Sequence, residues 1–169
     1  MPPSERFADA LNAQIGREYT AAHQYTAIAS WYDAETYPRL ARFFYGQADE
    51  EREHARKMTD YLLETGQSVR LGEVAAPINE FPDHVEPIRL ALQQERTVSV
   101  EIDKLFEIAR ETRDHASEIF LQWFVTEQVE EEDSIGSLLQ VAERVREFPM
   151  MLEEFLARDS DNLVSGSSD

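Results

Sequence analysis

Residues 45–58 read YGQADEEREHARKM, and near their centre Glu51 and His54 stand three positions apart. On an α-helix this spacing places both side chains on one face, where a carboxylate and an imidazole can bind one metal ion. The pair is weak on its own, because Glu-x-x-His also occurs by chance on the solvated faces of charged helices. A metal centre inside a four-helix bundle also requires carboxylates from the other helices at the same depth.

Composition restricts the classes of protein to which the chain can belong. Its 169 residues are 42% hydrophobic and 10% aromatic, which predicts a single folded domain with a core. No apolar run approaches the length of a membrane span, and no secretory signal is recognisable, so we expect a cytoplasmic protein without a membrane partner. The chain has no cysteine, which leaves carboxylate and imidazole groups as the ligands for any metal.

The formal net charge is −18, from 34 acidic and 16 basic residues. Such a surface repels nucleic acid and anionic membranes and attracts cations. The sequence contains no basic patch that would reverse this effect, so we expect no nucleic-acid partner.

Apolar residues at spacings of three and four predict helices along most of the chain. We expect an all-α fold in which four long helices form a bundle, a long connection over residues 66–83 crosses its length, and a short fifth helix follows. The predicted helices cover residues 5–33, 38–64, 84–111, 115–147 and 150–157. We expect the Ser/Gly/Asp-rich residues 160–169 to form a disordered tail, so that the domain comprises residues 1–159.

Three further glutamates coincide with the apolar faces of the predicted helices. Glu18 lies beside the stripe of the first helix, where a solvated position at the stripe's edge is an open alternative. Glu95 replaces an apolar residue within the stripe of the third helix. Glu131 lies in an acidic run that is solvated by default, but its spacing from Phe124 turns it toward the core, one turn from Gln128.

The four long helices thus each supply a group that can bind a metal: Glu18, Glu51 with His54, Glu95 and Glu131. Four buried carboxylates would repel one another by several kcal/mol unless cations lay between them. Carboxylate and imidazole ligands suit iron or manganese, with zinc as a competitor. The simplest arrangement is a pair of metal ions bridged by Glu51.

Several motifs of the chain carry a family resemblance. They are Glu18-Tyr-Thr-Ala-Ala with Gln24-Tyr25, Glu50-Glu51-x-x-His54-Ala55, Gln94-Glu95-Arg-Thr-Val98, Gln122-Trp123-Phe124, and Glu127-Gln128-Val-Glu130-Glu131. With these motifs the sequence resembles the bacterial non-haem ferritins, in particular the actinobacterial type, from Arg6 to about Ala157.

The resemblance implies a fold, a site and an activity. The implied fold is the ferritin-like four-helix bundle, and the implied activity is a ferroxidase that oxidises Fe(II) with O2 or H2O2 and stores ferric mineral in a hollow homo-oligomer of 24 subunits. The family's first iron lies at the positions of Glu18, Glu51 and His54, and its second at those of Glu51, Glu95 and Glu131. Gln128 lies beside the irons, and Tyr25 and Trp123 are aromatic neighbours of the centre.

Three alternatives compete with this interpretation. A haem-containing bacterioferritin carries a Glu-x-x-His pair on the fourth helix, where this chain has Gln128-x-x-Glu131, and a haem-ligating methionine at the position of Arg52. These departures lead us to expect no haem. A non-enzymatic helical scaffold would have only solvated charges, and a miniature shell protein that protects DNA would place its ligands across a subunit interface and lack the fifth helix.

Glu50, Glu127 and Glu130 remain outside the predicted di-iron set. Their spacings turn them to a neighbouring side of the second and fourth helices, where they would meet. The plain alternative is three solvated glutamates. The resemblance implies a third iron site at these positions, which predicts a transit site between the centre and the mineral.

Overall fold

The computed structural model describes residues 2–165, with side chains over residues 2–159. It contains five α-helices: α1 (Glu5–Ala34), α2 (Pro38–Glu64), α3 (Glu86–Glu111), α4 (His115–Arg144) and α5 (Met150–Ser165). No strand occurs within the described residues, so the predicted all-α fold with a short C-terminal helix is confirmed. None of these helices is long and apolar enough to cross a membrane.

Local signals in the sequence set the helix ends. The side chain of Ser4 accepts a hydrogen bond of 3.1 Å from the amide of Phe7 and caps α1. Pro38 occupies the first turn of α2, where its missing N–H costs nothing. Gly66 follows the end of α2 with a φ of 75°, a backbone conformation that glycine adopts without strain.

The crossover between α2 and α3 lies against α1. Near the start of α1, the side chain of Asn12 donates to the carbonyl oxygen of Ser68 and accepts from the amide of Arg70. Further along α1, the amide group of Gln24 bonds both the N–H and the carbonyl oxygen of Ile78 at 2.8 Å. Asn12 and Gln24 are about three turns apart. The crossover therefore runs along the bundle and makes α3 parallel to α2, as the length of this connection predicts.

Two hydrophobic clusters form the core. One contains Tyr32, Phe44 and Ile135 and includes residues of α5. The other contains Leu11 and Met58 at the opposite end of the bundle. All four long helices contribute to both clusters. Burial of this apolar surface is the main force that holds the helices together.

A layer of buried polar residues separates the two clusters. Each long helix contributes at least one member between its two sets of apolar residues: Glu18, Glu51 with His54, Glu95, and Gln128 with Glu131. The fold therefore brings the polar interruptions of the four sequence patterns to one level of the bundle.

The structure corrects several predicted boundaries. α3 begins at Glu86 rather than at His84, because the side chain of Asp83 accepts from the amides of Val85 and Glu86 and sets the start. α4 ends at Arg144 rather than near residue 147.

The fifth helix is longer than predicted. It ends at Ser165 rather than near residue 157, so it overlaps the expected tail over residues 160–165. The polar composition after Ala157 suggested a stop, but no glycine or proline occurs there before Gly166. Residues 166–169 lie outside the described part of the chain.

Candidate metal centre

Glu18, Glu51 and His54 form the tightest group of potential ligands among the described residues. All three side chains are buried. The Nδ1 atom of His54 lies 3.4 Å from Glu51 Oε2 and 3.8 Å from Glu18 Oε2. Because α1 and α2 pack side by side, Glu18 meets the Glu51–His54 pair that the helical spacing predicts.

Two carboxylate oxygens of this group have no hydrogen-bond partner. Glu18 Oε2 and Glu51 Oε2 are buried without a hydrogen bond, and both face the imidazole at ion-pair distance. Leaving a buried acceptor unsatisfied costs roughly 1–3 kcal/mol. A cation bound between these oxygens and His54 Nδ1 would remove that cost for both, so the three residues fit a metal ion.

Glu95 lies opposite this group and uses its oxygens differently. The Tyr25 hydroxyl donates to Glu95 Oε1. Gln128 Nε2 donates to Glu95 Oε2 at 3.1 Å and to the Glu95 carbonyl oxygen at 3.2 Å. Tyr25 and Gln128 therefore contact one of the predicted ligands directly and hold its carboxylate in place.

The carboxyl groups of the layer have unequal affinities for protons. Burial, followed by the charge of Glu18, raises the pKa of Glu51 well above its usual range. Burial, together with the nearby Glu50 and Glu95, raises the pKa of Glu131 to about 9. For Glu18 the effect of burial is outweighed by contacts with His54, Glu51 and Gln14, which leave its pKa below the usual value.

His54 and Glu95 follow the same physical rules. Burial acts to lower the pKa of His54, but the neighbouring Glu18 carboxylate raises it overall. Burial raises the pKa of Glu95 despite the hydrogen bonds from Tyr25 and Gln128. Burial thus favours the protonated forms of Glu51, Glu95 and Glu131, and a bound cation would compete with those protons.

Glu50 and Glu127 lie beside this centre. They line a cavity of about 390 Å³ whose wall also includes His54 and Trp123. Glu130 is exposed and does not line that cavity. The structure therefore brings two members of the predicted third cluster together and leaves Glu130 apart from them.

Trp123 forms one wall of the same cavity. Its ring meets the His54 ring edge-on at a centroid distance of 5.4 Å. The ammonium group of Lys57 sits 3.5 Å above the Trp123 ring. Trp123 thus packs against the imidazole of His54, a predicted metal ligand.

Comparison with protein families tests the resemblance that these residues carry. A sequence model described as the ferritin-like domain matches residues 8–145, a range that contains every predicted ligand. The chain belongs to the ferritin family.

Named relatives and solved structures agree with this assignment. This ferritin is 41% identical over 159 residues to Ferritin BfrB of Mycobacterium tuberculosis, covering 94% of this chain and 88% of the relative. It is 39% identical over 142 residues to the bacterial non-heme ferritin of Staphylococcus epidermidis, covering 84% and 86%. The open pore ferritin of Archaeoglobus fulgidus matches with a TM-score of 0.88 at 33% identity, covering 90% of this chain and 95% of that one. The resemblance to bacterial non-haem ferritins is confirmed.

Burial of the polar layer overturns one of the three alternatives. A scaffold whose charges are all solvated is inconsistent with Glu18, Glu51 and Glu95, which are almost entirely shielded from solvent. The alternative that placed Glu18 at the solvated edge of its helix is wrong for the same reason.

Gln14 also contacts this centre, but it lies outside the sequence motifs that predicted the other residues. It is fully buried on α1, and its Nε2 donates to Glu18 Oε1 at 2.7 Å. One signal was present in the sequence: Gln14 stands four positions before Glu18 and so shares its helix face. A buried amide there requires a polar partner.

Proposed function

We propose that this ferritin binds two Fe(II) ions within the polar layer of one subunit, oxidises them, and stores the product as ferric mineral. Membership of the ferritin family supports iron storage. The observation that carries the ferroxidase proposal is the pair of unpaired buried oxygens, Glu18 Oε2 and Glu51 Oε2, facing His54 Nδ1.

The two ions would occupy unequal positions. Glu18, Glu51 and His54 would hold the first ion, because their free atoms already face one another. Glu51, Glu95 and Glu131 would hold the second, and Glu95 must then exchange hydrogen bonds from Tyr25 and Gln128 for the ion. This difference predicts that the first position fills before the second.

Adjacent ions suit the chemistry, because each Fe(II) gives up one electron and O2 or H2O2 accepts two in one step. The carboxylates stabilise the ferric product through their negative charge. Glu131, whose pKa is raised to about 9, would release its proton when the ions bind. Burial between the two apolar clusters limits the access of water to the reacting ions.

A route out of the centre is proposed through Glu50, Glu127 and Glu130. The cavity that Glu50 and Glu127 line reaches His54, which makes it the open side of the centre. Glu130 is solvated on the same helix as Glu127 and would receive iron after them. Weak binding at this third site would pass Fe(III) from the centre toward the mineral.

The assembly that fits storage is a homo-oligomer of 24 subunits in the cytoplasm, without haem. Arg52 supports the absence of haem, because it stands where the haem ligand of bacterioferritins would lie. Its guanidinium is exposed and bonds Asp49 and Thr26. An arginine at this position provides neither the thioether nor the imidazole that could bind haem iron.

The ferroxidase proposal is tested by mixing metal-free protein with Fe(II) in air and recording ferric absorbance in a stopped-flow instrument. We expect Glu51→Gln to slow the first oxidation by 100-fold or more, about the effect of losing one essential group in an active site. Glu107→Gln, which removes the same charge from an exposed face of α3, is the matched control and should retain the wild-type rate. Equal rates for wild type and Glu51→Gln would contradict the proposal.

A further inference from the structure

The carboxylate of Glu18 is held asymmetrically. Its Oε1 atom accepts a hydrogen bond of 2.7 Å from Gln14 Nε2, whereas its Oε2 atom has no hydrogen-bond partner. Only Oε2 faces His54, at 3.8 Å from Nδ1. One oxygen is therefore occupied by the protein and the other is presented to the position that a metal ion would take.

Arg17 fixes the direction of the Gln14 amide. Arg17 Nη1 lies 3.1 Å from Gln14 Oε1. A guanidinium group only donates hydrogen bonds, so it must face the oxygen of the amide and not the nitrogen. Rotation of the amide by 180° would place two donors together at Arg17 and two acceptors together at Glu18. The Gln14 N–H is thus directed at Glu18 by a contact on the far side of the amide.

Arg17 is in turn anchored to a second helix. The same Nη1 atom lies 3.2 Å from Oε2 of Glu101 on α3. The other oxygen of Glu101 accepts from Lys104 at 2.8 Å. A continuous set of polar contacts therefore runs from the surface of α3 to the buried Glu18, and it closes only when α1 and α3 are packed.

Filling the core does not explain this glutamine. Gln14 is fully buried on the apolar face of α1, where burying a polar amide costs more free energy than burying a leucine side chain. A glutamine at this position is therefore expected only if its amide makes a needed contact. Gln24 on the same helix shows the usual solution, because its amide is used to hold the backbone of the crossover at Ile78. The amide of Gln14 instead donates its hydrogen bond to the carboxylate of Glu18, a predicted metal ligand.

We infer that Gln14 is a positioning residue that makes Glu18 bind the first metal ion through Oε2 alone, and that Arg17 keeps its amide in the required direction. The inference rests on the proposed metal centre. Without the Gln14 N–H, the Glu18 carboxylate can rotate, so the ordering that the protein now supplies must be supplied by metal binding. Loss of such an outer contact weakens metal binding by about 10–100-fold.

Co(II) titration of the metal-free protein, followed by visible absorption, tests this role without any turnover. We expect Gln14→Leu to raise the dissociation constant of the first Co(II) by about 10–100-fold and to shift its absorption bands, because the Glu18 oxygen is no longer fixed. Gln24→Leu removes a buried amide from the same helix away from the centre, and it should leave the affinity and the bands unchanged. Glu18→Gln serves as the reference for loss of the ligand itself.

Arg17→Met keeps Gln14 in place and changes a half-exposed side chain, so it remains informative if Gln14→Leu fails to fold. We expect it to weaken the binding of the first Co(II) measurably, by up to about 10-fold. Wild-type affinity and bands in a folded Gln14→Leu protein would overturn the inference, as would equal weakening by Gln24→Leu. With Gln14→Leu unfolded, wild-type binding by Arg17→Met would overturn it. If Glu18→Gln binds Co(II) as wild type does, the proposed centre itself is wrong and the inference falls with it.

Discussion

Glu131 keeps its proton at neutral pH because it is buried beside other carboxyl groups. Its pKa of about 9 lies above that of an ordinary glutamate, and the pKa of Glu51 is raised in the same direction. A metal ion binds the ionised form, so each of these groups must release its proton when an ion arrives. Metal affinity should therefore rise with pH through the pKa of about 9 and level off only above it, where Glu131 is ionised.

This proton release can be counted. Adding Zn(II) to metal-free protein at pH 7 in a weak buffer should release more than one proton per filled centre, as read by a pH indicator. Glu131→Gln removes one titrating group and should release about one proton fewer. Glu132→Gln, one residue further on and partly exposed, is the matched control. The same proton count in Glu131→Gln and wild type would refute the assignment of the proton to Glu131.

The buried carboxylates of the polar layer could be predicted from the sequence because a charge within an apolar stripe is conspicuous. Glu18 and Glu95 are of this kind, and the structure buries both. Gln14 could not be found in that way, because an uncharged amide does not interrupt a stripe. Its direction also depends on Arg17, which is anchored by Glu101 more than eighty residues away in the sequence.

α5 is attached to the bundle through one carboxylate as well as through apolar contacts. Glu153 is buried, and its two oxygens accept from the amides of Arg39 and Leu40 at 2.9 Å. α2 has no side-chain cap of its own, so α5 satisfies the free N–H groups at its start. Negative charge is favourable at a helix N-terminus.

Hydrogen exchange can test this attachment. Glu153→Ala should expose the first turn of α2 and cost about 1–2 kcal/mol of local stability. Amide exchange at Arg39 and Leu40 should then accelerate by roughly 5–30-fold. Glu154→Ala, on the exposed side of α5, is the control and should leave these amides unaffected. Unchanged exchange in Glu153→Ala would show that the apolar contacts of α5 are sufficient.

Helix existence was predictable because the periodic patterns are long, whereas helix ends depend on single contacts. The start of α3 is determined by Asp83 and not by the apolar pattern. The role of Glu153 was hidden, because its partners are backbone groups of a different helix. Composition alone also misjudged the end of α5 at Ser165.

At the scale of the molecule, polar residues interrupt the apolar stripes of all four long helices at the same level of the bundle. This common level divides the core into two apolar clusters with a polar layer between them. The net charge of −18 per chain would be multiplied in an assembly and would attract Fe(II) to its surface. Large apolar side chains remain exposed on the single subunit, including Ile119 and Val129 of α4. Apolar periodicity along a helix does not distinguish burial inside a subunit from burial between subunits.

The proposed assembly has a measurable mass. Light scattering of the purified protein should give about 470 kDa for 24 chains of 19.5 kDa in a closed symmetric shell. The absorption spectrum of the same sample should show no Soret band of haem, because Arg52 offers no ligand for haem iron. A mass of one or two chains would contradict the shell, and a stoichiometric haem band would contradict the haem-free assignment.

The central claim is that one subunit binds two irons inside its polar layer, and anomalous diffraction from crystals soaked in Fe(II) tests it most directly. We predict two iron peaks that share Glu51, one beside Glu18 and His54 and the other beside Glu95 and Glu131. Iron peaks confined to exposed acidic residues, with none inside the layer, would contradict the claim.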